Sequence, residues 1–225
     1  IHLQSADERE ATLKYKDLYI DIGAKSREEA EKFVQQGDFA TFRPQFVQMG
    51  NCICARALDD RIGCLLLLEL LHEELPYDIT VVFSAQEEIG GAAGNAAFAV
   101  KPDIAVAVDT NTAADVPGVA ASKNVCALGK GPVLTFQDKG GFADRDLFRM
   151  AKEICKEQEI PYQIKNQVVG ATDAAGMGKA AAGCRTLAMA VPTRYIHSPS
   201  CVFDPKDLEP TAKLLSAMVK RFGEM

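Results

Sequence analysis

The sequence predicts an α/β fold, in which a mixed sheet has helices on both faces, together with part of a small β-rich module. Apolar runs rich in Val, Ile and Ala alternate with helical patterns from residue 61 onward, as in sheets that are covered on both faces. The 225 residues, 48% of them hydrophobic, can bury a sizeable core. Residues 1–48 are more charged and strand-like, so we assign them to the module and residues 49–225 to the main domain.

Three local patterns predict the elements of the first module. Residues 16–24 (KDLYIDIGA) have the composition of a strand that ends in a turn. A helix over 26–37 would begin at Ser26, whose side chain can cap it. The alternating segment 38–49 predicts one or two short strands around Pro44.

The main domain is predicted to alternate helices and strands. Its helices are expected at residues 61–75, 91–99, 143–158, 173–182 and 205–222. Its strands are expected at residues 79–84, 103–109, 162–169 and 185–191. The GKGP segment at 129–132 has no Ser or Thr after its Gly-Lys pair and predicts a turn rather than a phosphate-binding loop.

Composition argues against several classes of partner. A net charge of -6 and a pI near 5.2 disfavour nucleic acid and anionic membrane. The longest purely apolar run, at 65–68, is far shorter than the roughly 20 residues of a membrane span. The seven cysteines are odd in number and include no CxxC pair, so we expect packed free thiols and a cytoplasmic location.

Acidic side chains and one histidine follow predicted strands or open the buried helix at 61–75. They are Asp59, Asp60, Glu87, Glu88, Asp109 and His197. The carboxyl ends of strands border the ligand crevice in open α/β sheets, and so much negative charge would repel strongly without a cation. Carboxylates with one histidine suit divalent metal ions, and a shared carboxylate can bridge two of them. One glutamate of the adjacent pair would then bind metal while the other acts on the bound water.

Each of these residues also has a purely structural explanation. The two acidic pairs could favour helix N-termini through the helix dipole, Asp109 could belong to a turn, and His197 could be a surface or core residue. These separate explanations do not account for the fact that all of the candidates follow predicted strands or open the buried helix, so we prefer the metal site. In GATDAAG (170–176), Thr172 or Asp173 could cap a helix or the loop could contact substrate, and both interpretations stay open.

Five motifs together resemble one known family. They are ARALDDRIG (55–63), SAQEEIGG (84–91), AVDT (107–110), GATDAAG (170–176) and PTRYIHSP (192–199). In this order they are similar to the dinuclear-metal aminopeptidases of metallopeptidase family forty-two, the tetrahedral, self-compartmentalising glutamyl, leucyl and lysyl aminopeptidases. Residues 17–38 also resemble the end of that family's inserted dimerisation domain. The resemblance covers nearly the whole chain.

The resemblance implies a role for each candidate residue. Asp59 would bridge two divalent ions, zinc or cobalt, across a cis peptide to Asp60, and Glu87 would be the general base. Glu88 and His197 would complete one ion's ligands, and Asp109 would bind the other ion. By the same resemblance, Asp60, Thr172 and Asp173 would support the site or contact substrate.

The resemblance also implies an activity and an organisation. The protein would remove N-terminal residues from peptides and form homo-oligomers, in this family a tetrahedral dodecamer. Residues 1–48 would be the C-terminal part of the inserted dimerisation domain, and 49–225 a zinc-peptidase-like catalytic domain without its N-terminal segment.

One ligand of the family pattern has no counterpart in this chain. The family's first ligand is a histidine in a His-x-Asp motif, which His2-Leu3-Gln4 does not match. We therefore expect this chain to hold one ion well, to be poorly active by itself, and to have the pKa of Asp109 raised by repulsion from Asp59.

Two further functions remain to be distinguished. A carbohydrate hydrolase of the endoglucanase type is compatible with paired carboxylates, but the absence of Trp and the 7% aromatic content supply few platforms for stacking sugars. A non-catalytic assembly subunit is compatible with the missing ligand.

Overall fold

The computed structural model describes residues 2–223, which divide into two compact units after Phe42. The first unit contains the helices α1 (Ala6–Glu10) and α2 (Arg27–Ala30) and a 3-10 helix at Tyr15–Asp17. None of residues 2–42 is in a strand, so the predicted strand at 16–24 is wrong. Its strand-like composition is not sufficient, because a strand needs a neighbour to accept its backbone hydrogen bonds and these residues have none in this unit.

The predicted helix at 26–37 is confirmed only at its start. The Ser26 side chain accepts a hydrogen bond from the Glu29 backbone N–H at 3.2 Å, as a capping residue should. The α-helix α2 that follows is much shorter than predicted and ends at Ala30.

The second unit contains one mixed sheet and the remaining helices. Its strands are β1 (Phe46–Met49), β2 (Cys52–Ala55), β3 (Ile104–Thr112), β4 (Val133–Thr135), β5 (Gln163–Ile164), β6 (Arg185–Arg194) and β7 (Cys201–Phe203). Its helices are α3 (Leu58–Leu70), α4 (Ala93–Val100), α5 (Arg145–Glu157), α6 (Asp173–Lys179) and α7 (Leu208–Phe222).

Strand β6 is the centre of the sheet. It pairs with β3 in parallel, from Ile104 opposite Arg185 to Thr112 opposite Thr193. It pairs in antiparallel fashion with β4 and β7, and β7 continues through β2 to β1. Helices α3 and α5 pack against α7, whereas α4 packs against α6. The predicted mixed sheet with helices is therefore confirmed.

The main core lies between the sheet and the helices α3, α5 and α7. In α5, Leu147, Ala151 and Ile154 are fully buried at helical spacing, and Leu214 and Met218 of α7 meet them. Such a narrow apolar stripe explains why α5 and α7 form close to their predicted positions, at 143–158 and 205–222.

The predicted strand at 79–84 is wrong, because these residues are not part of any ladder. The predicted strand at 162–169 shortens to the two residues of β5, and β6 extends past its predicted end at 191. Strand β3 extends past its predicted end at 109, so Asp109 lies inside this strand rather than at its end.

The cysteines and the helix lengths bear on the predicted free thiols and on the predicted absence of a membrane span. All seven cysteines are free, and Cys126, Cys155 and Cys201 are buried, as expected for packed thiols. Within residues 2–223 no helix combines the length and apolar character needed to cross a membrane.

Candidate active site

Four non-glycine residues with positive φ lie beside the candidate site residues. Ala57 (φ 54°) precedes α3, and Gln86 (φ 66°) precedes a 3-10 helix at Glu87–Ile89. Tyr195 and His197 itself, in the loop after β6, both have φ 58°. A left-handed backbone is costly for side chains other than glycine and is concentrated at functional sites. This clustering indicates a site that the surrounding structure holds in place.

The first group of candidate ligands joins the start of α3 to two loops. The His197 Nε2 atom lies 3.1 Å from Glu88 Oε2 and 3.5 Å from Asp59 Oδ2. The three ligand atoms all lie within 4.8 Å of one another, which is close enough for one ion to touch all of them. The His197 and Glu88 side chains are 67% and 51% exposed, so an ion could reach this group from solvent.

The second group consists of Asp59, Asp60 and Asp109, whose ligand atoms also lie within 4.8 Å of one another. The peptide bond between Asp59 and Asp60 is cis, as the resemblance implies. Hydrogen bonds hold these carboxylates: the Gly63 N–H donates to Asp60 at 2.9 Å, and the Thr110 N–H donates to Asp109 at 2.6 Å. The Thr110 hydroxyl donates to Asp59 at 2.8 Å. Asp59 therefore belongs to both groups.

Burial makes the charged forms of the second group costly. It raises the pKa of Asp60 to about 9, and the charge of Asp109 adds to the effect. Burial likewise raises the pKa of Asp109 to about 7, with a further contribution from Asp59. The expected direction for Asp109 is confirmed, but burial rather than repulsion is its main cause. A divalent cation would compensate these carboxylates, so the donor set fits such an ion.

Glu87 lies outside both groups, next to Glu88. Burial raises its pKa, and the negative charges of Asp173, Glu88 and Asp59 raise it further. A carboxylate whose pKa is raised is a stronger base than an ordinary one.

Thr172 and Asp173, which the sequence left open, have different surroundings. The Thr172 hydroxyl accepts a hydrogen bond from the Ala174 N–H at 3.4 Å and caps α6. Asp173 accepts a hydrogen bond from the Ser84 hydroxyl and lines the same cavity as Glu87 and Asp109. The structure thus places Asp173, but not the Thr172 side chain, beside the candidate site.

The amino-acid sequence of the chain matches a known protein family. The sequence model of the M42 glutamyl aminopeptidases matches residues 1–214. The chain belongs to this family. The M42 assignment confirms the resemblance found in the sequence motifs and shows that the chain comes from a family of hydrolases.

Three proteins with similar sequences or structures illustrate the match. The lysyl aminopeptidase of Pyrococcus furiosus is 34% identical over 231 residues, which cover 100% of this chain and 65% of the relative. The aminopeptidase APDkam598 of Desulfurococcus kamchatkensis superposes with a TM-score of 0.90 at 34% identity, over 97% of this chain and 63% of that chain. The TET1 peptidase of Pyrococcus horikoshii superposes with a TM-score of 0.78 at 33% identity, over 96% and 64%.

This chain spans only part of the M42 relatives. It covers 58% to 65% of the length of five curated relatives that it matches. The high TM-score over its own length means that the described residues keep the relatives' arrangement.

Sequence reasoning missed two contributors to the site, Thr110 and Gly63. Thr110 follows Asp109 in the AVDT motif, and its hydroxyl reaches Asp59 from another element. Gly63 is required because a Cβ there would collide with the Asp60 carboxylate and lie 2.7 Å from the Val108 carbonyl oxygen. Asp60, which the sequence already named, has a carboxylate oxygen within the second group and so could also contact an ion there. The glycine inside a buried apolar helix pattern was the one signal available for Gly63.

Proposed function

We propose that the complete protein is a metal-dependent aminopeptidase that removes N-terminal residues from peptides. The observation that supports this most directly is the pair of ligand groups that share Asp59. A shared carboxylate is the arrangement expected where two divalent ions act on one water and one carbonyl. Membership of the M42 family agrees with this geometry.

Each carboxylate in the proposed mechanism has a separate task. Asp59 would bridge two ions, zinc or cobalt, Glu88 and His197 would hold one, and Asp109 with Asp60 would hold the other. The ions supply Lewis-acid activation of water and of the scissile carbonyl. Glu87 would accept the proton of the attacking water and pass it to the leaving amine. Its position next to a ligand, but outside both ligand groups, supports this assignment.

The two sites should differ in affinity in the chain described here. The first group offers a carboxylate from α3, a carboxylate from the 3-10 helix and a histidine, which meets the usual minimum of three protein ligands. The second group offers only carboxylates, and the raised pKa values of Asp60 and Asp109 mean that protons compete with metal there. We expect one tight divalent ion per chain, weak binding of a second, and low peptidase activity.

Calorimetric titration with Co²⁺ and Zn²⁺, followed by assays on an aminoacyl chromogenic substrate and a cellulose oligomer, tests the proposal. We expect one tight site, slow aminopeptidase turnover and no cleavage of the oligosaccharide. Cleavage of the cellulose oligomer alone would favour the endoglucanase alternative. Complete absence of metal binding would favour the non-catalytic subunit.

We also propose that the protein forms homo-oligomers in the cytoplasm. The Pyrococcus horikoshii TET1 peptidase is described as assembling into a tetrahedron or a large octahedral shell. In the first unit, Tyr15, Tyr19 and Phe39 are almost fully exposed, as at surfaces that a partner covers. The seven unpaired cysteines agree with a reducing compartment. Sedimentation that shows only monomers of the complete protein would refute the assembly proposal and leave the catalytic one intact.

A further inference from the structure

Two bidentate ion pairs hold the opposite ends of strand β6. Arg185, the first residue of β6, donates to the Asp144 carboxylate from Nε at 3.1 Å and from Nη2 at 2.9 Å. Arg194, the last residue, donates to the Asp115 carboxylate from Nε at 2.7 Å and from Nη2 at 2.8 Å. Both pairs have the fork geometry that makes arginine–carboxylate contacts specific as well as strong. The two pairs are alike in chemistry, and they differ in what lies beside them.

The Arg194 pair connects two segments of the chain that contain candidate ligands. Asp115 follows β3, the strand in which Asp109 lies. Arg194 precedes the loop over residues 195–200, which joins β6 to β7 and contains His197. The ion pair therefore ties the segment after a strand with a second-group ligand to the start of the loop with the histidine of the first group.

Asp115 is itself held in place by the backbone. Its Oδ2 atom also accepts a hydrogen bond from the Leu128 N–H at 3.1 Å, and its own carbonyl oxygen accepts a third hydrogen bond from the Arg194 guanidinium at 3.1 Å. The Arg194 and Asp115 side chains are 28% and 18% exposed, so the pair is partly shielded from water. Charge-assisted hydrogen bonds are stronger in such surroundings than between fully exposed side chains. The pair therefore restrains the end of β6.

The loop 195–200 holds His197 in a conformation that needs support. Tyr195 and His197 both have φ 58°, which is costly for residues with a side chain. Hydrogen bonds inside the loop are local: the Ser198 hydroxyl donates to the Tyr195 carbonyl at 2.6 Å, and the Ser200 N–H donates to Ser198 Oγ at 3.2 Å. The His197 side chain is 67% exposed, so burial contributes little to its orientation. The direction of the imidazole therefore depends on where the chain enters the loop, at the end of β6.

We infer that Arg194 and Asp115 are positioning residues for the proposed metal centre. The ion pair fixes the end of β6, and the loop then directs His197 toward Asp59 and Glu88. Arg194 acts through the backbone rather than as a ligand. Because it requires that the first group binds a divalent ion, this role rests on the proposed function. Loss of the pair would lower the fraction of chains in which the three ligands are preassembled, and the apparent metal affinity would fall with that fraction.

Calorimetric titration of the 225-residue chain with Co²⁺ tests this role. Arg194→Lys keeps the positive charge but loses the planar fork, so the restraint weakens while the electrostatic field at the ligands hardly changes. We expect the dissociation constant of the tight site to rise about tenfold, the lower end of the range for residues that orient metal ligands. Asp115→Glu keeps the negative charge and displaces the carboxylate. It should weaken binding similarly and serves as a second, independent variant.

Arg185→Lys is the matched control. It makes the same chemical change in the same strand, but at the opposite end of β6 from the loop 195–200, where Asp144 caps α5. Urea unfolding should show that both lysine variants lose stability. The dissociation constant for Co²⁺ should stay within about twofold of the wild-type value in Arg185→Lys alone. A general loss of stability would instead affect Co²⁺ binding equally in the two variants.

Removal of His197 shows whether Arg194 acts through this side chain. In a His197→Ala background, titrated at higher Co²⁺ concentrations, Arg194→Lys should change the remaining affinity by less than about twofold. A direct effect of the guanidinium on the other ligands would give the same loss with and without the histidine.

Any of three results would overturn the inference. They are wild-type affinity for Co²⁺ in both Arg194→Lys and Asp115→Glu, equal weakening in Arg185→Lys, and an undiminished effect of Arg194→Lys in the absence of His197. Circular dichroism of each variant confirms that it is folded. A wild-type chain that binds no Co²⁺ would refute the proposed function itself. Tight wild-type binding that the substitutions of the pair leave unaffected would refute only the positioning role.

Discussion

The two ligand groups share Asp59, but their other members differ in chemistry and in exposure. Asp59, Glu88 and His197 meet at an open surface, where the latter two side chains are more than half exposed. Asp60 and Asp109 are only partly exposed, and backbone N–H groups donate hydrogen bonds to their carboxylates. Burial raises the pKa of Asp60 to about 9 and that of Asp109 to about 7, so these two carboxyl groups would need a nearby cation to be fully charged at neutral pH.

The largest expected effect is on turnover, and it distinguishes the proposed general base Glu87 from the neighbouring metal ligand Glu88. In Glu87→Gln, turnover of an aminoacyl chromogenic substrate should fall by about 10²- to 10⁴-fold, because the proton acceptor is lost. Metal content, measured by mass spectrometry of inorganic elements, should stay unchanged. The neighbouring variant Glu88→Gln is the matched control and should lose metal. Reversed behaviour of the two variants would refute the assignment of the base.

The next largest effect is expected from substitution of Asp59, the carboxylate that the two ligand groups share. Asp59→Asn should weaken binding of the first ion by about 100-fold or more, since it takes a charged ligand from a three-ligand site. It should also abolish any second binding event. Calorimetric titration measures both, with Glu153→Gln, an exposed residue of α5, as the control. Loss of only one binding event would show that Asp59 does not bridge the groups.

The buried group predicts a dependence of metal-free stability on pH. Its raised pKa values mean that the folded chain keeps protons that the unfolded chain releases above about pH 4. In the presence of a chelator, the free energy of unfolding should therefore decrease as the pH rises above about 4, through Asp109 up to its folded-state pKa of about 7 and through Asp60 up to about 9. Urea unfolding at pH 5 and pH 7 should differ by a few kcal/mol, at about 1.4 kcal/mol for each shifted unit.

Asp109→Asn is the variant that checks this dependence. Its own contribution to the pH dependence should disappear, while that of Asp60 remains. If the wild type became more stable between pH 5 and pH 7 without metal, the environment assigned to the buried group would be wrong.

The smallest effect concerns the backbone that holds Asp60. Gly63→Ala places a Cβ against the Asp60 carboxylate and the Val108 carbonyl oxygen, which should cost about 1–3 kcal/mol of stability. Binding at the open group should change little, because His197 and Glu88 are not displaced. Chemical unfolding and titration of the neighbouring variant Cys64→Ala provide the control. A loss at the open group instead would mean that the two groups are not mechanically separate.

The sequence was sufficient to predict features that depend on the spacing of apolar residues or on the order of the motifs. The helical spacing of Leu147, Ala151 and Ile154 was sufficient to place α5, and the motif order was sufficient to nominate Asp59, Glu88 and His197 as neighbours. Both follow from short-range periodicity or from a resemblance that covers nearly the whole chain.

Other features depend on partners that a local pattern does not contain. Segment 79–84 has the composition of a strand, but ladder pairing requires a neighbour, and none of the described residues supplies one. The placement of Thr110 opposite Asp59 spans 51 positions of sequence and follows only from the packing of α3 on β3. Thr172 and Asp173 are adjacent in sequence, and only the tertiary structure shows which of the two side chains lies near Glu87.

The sharing of Asp59 has a thermodynamic consequence of its own. Two ions that contact one carboxylate cannot bind independently, so occupancy of either group changes the affinity of the other. Linkage requires that this change be the same factor in both directions. A titration of the complete protein should therefore deviate from two independent isotherms, and the order in which zinc and cobalt are added should not alter the final equilibrium. If Asp59 bridges two ions as proposed, the cooperativity of the centre would originate in one side chain, at the first turn of α3.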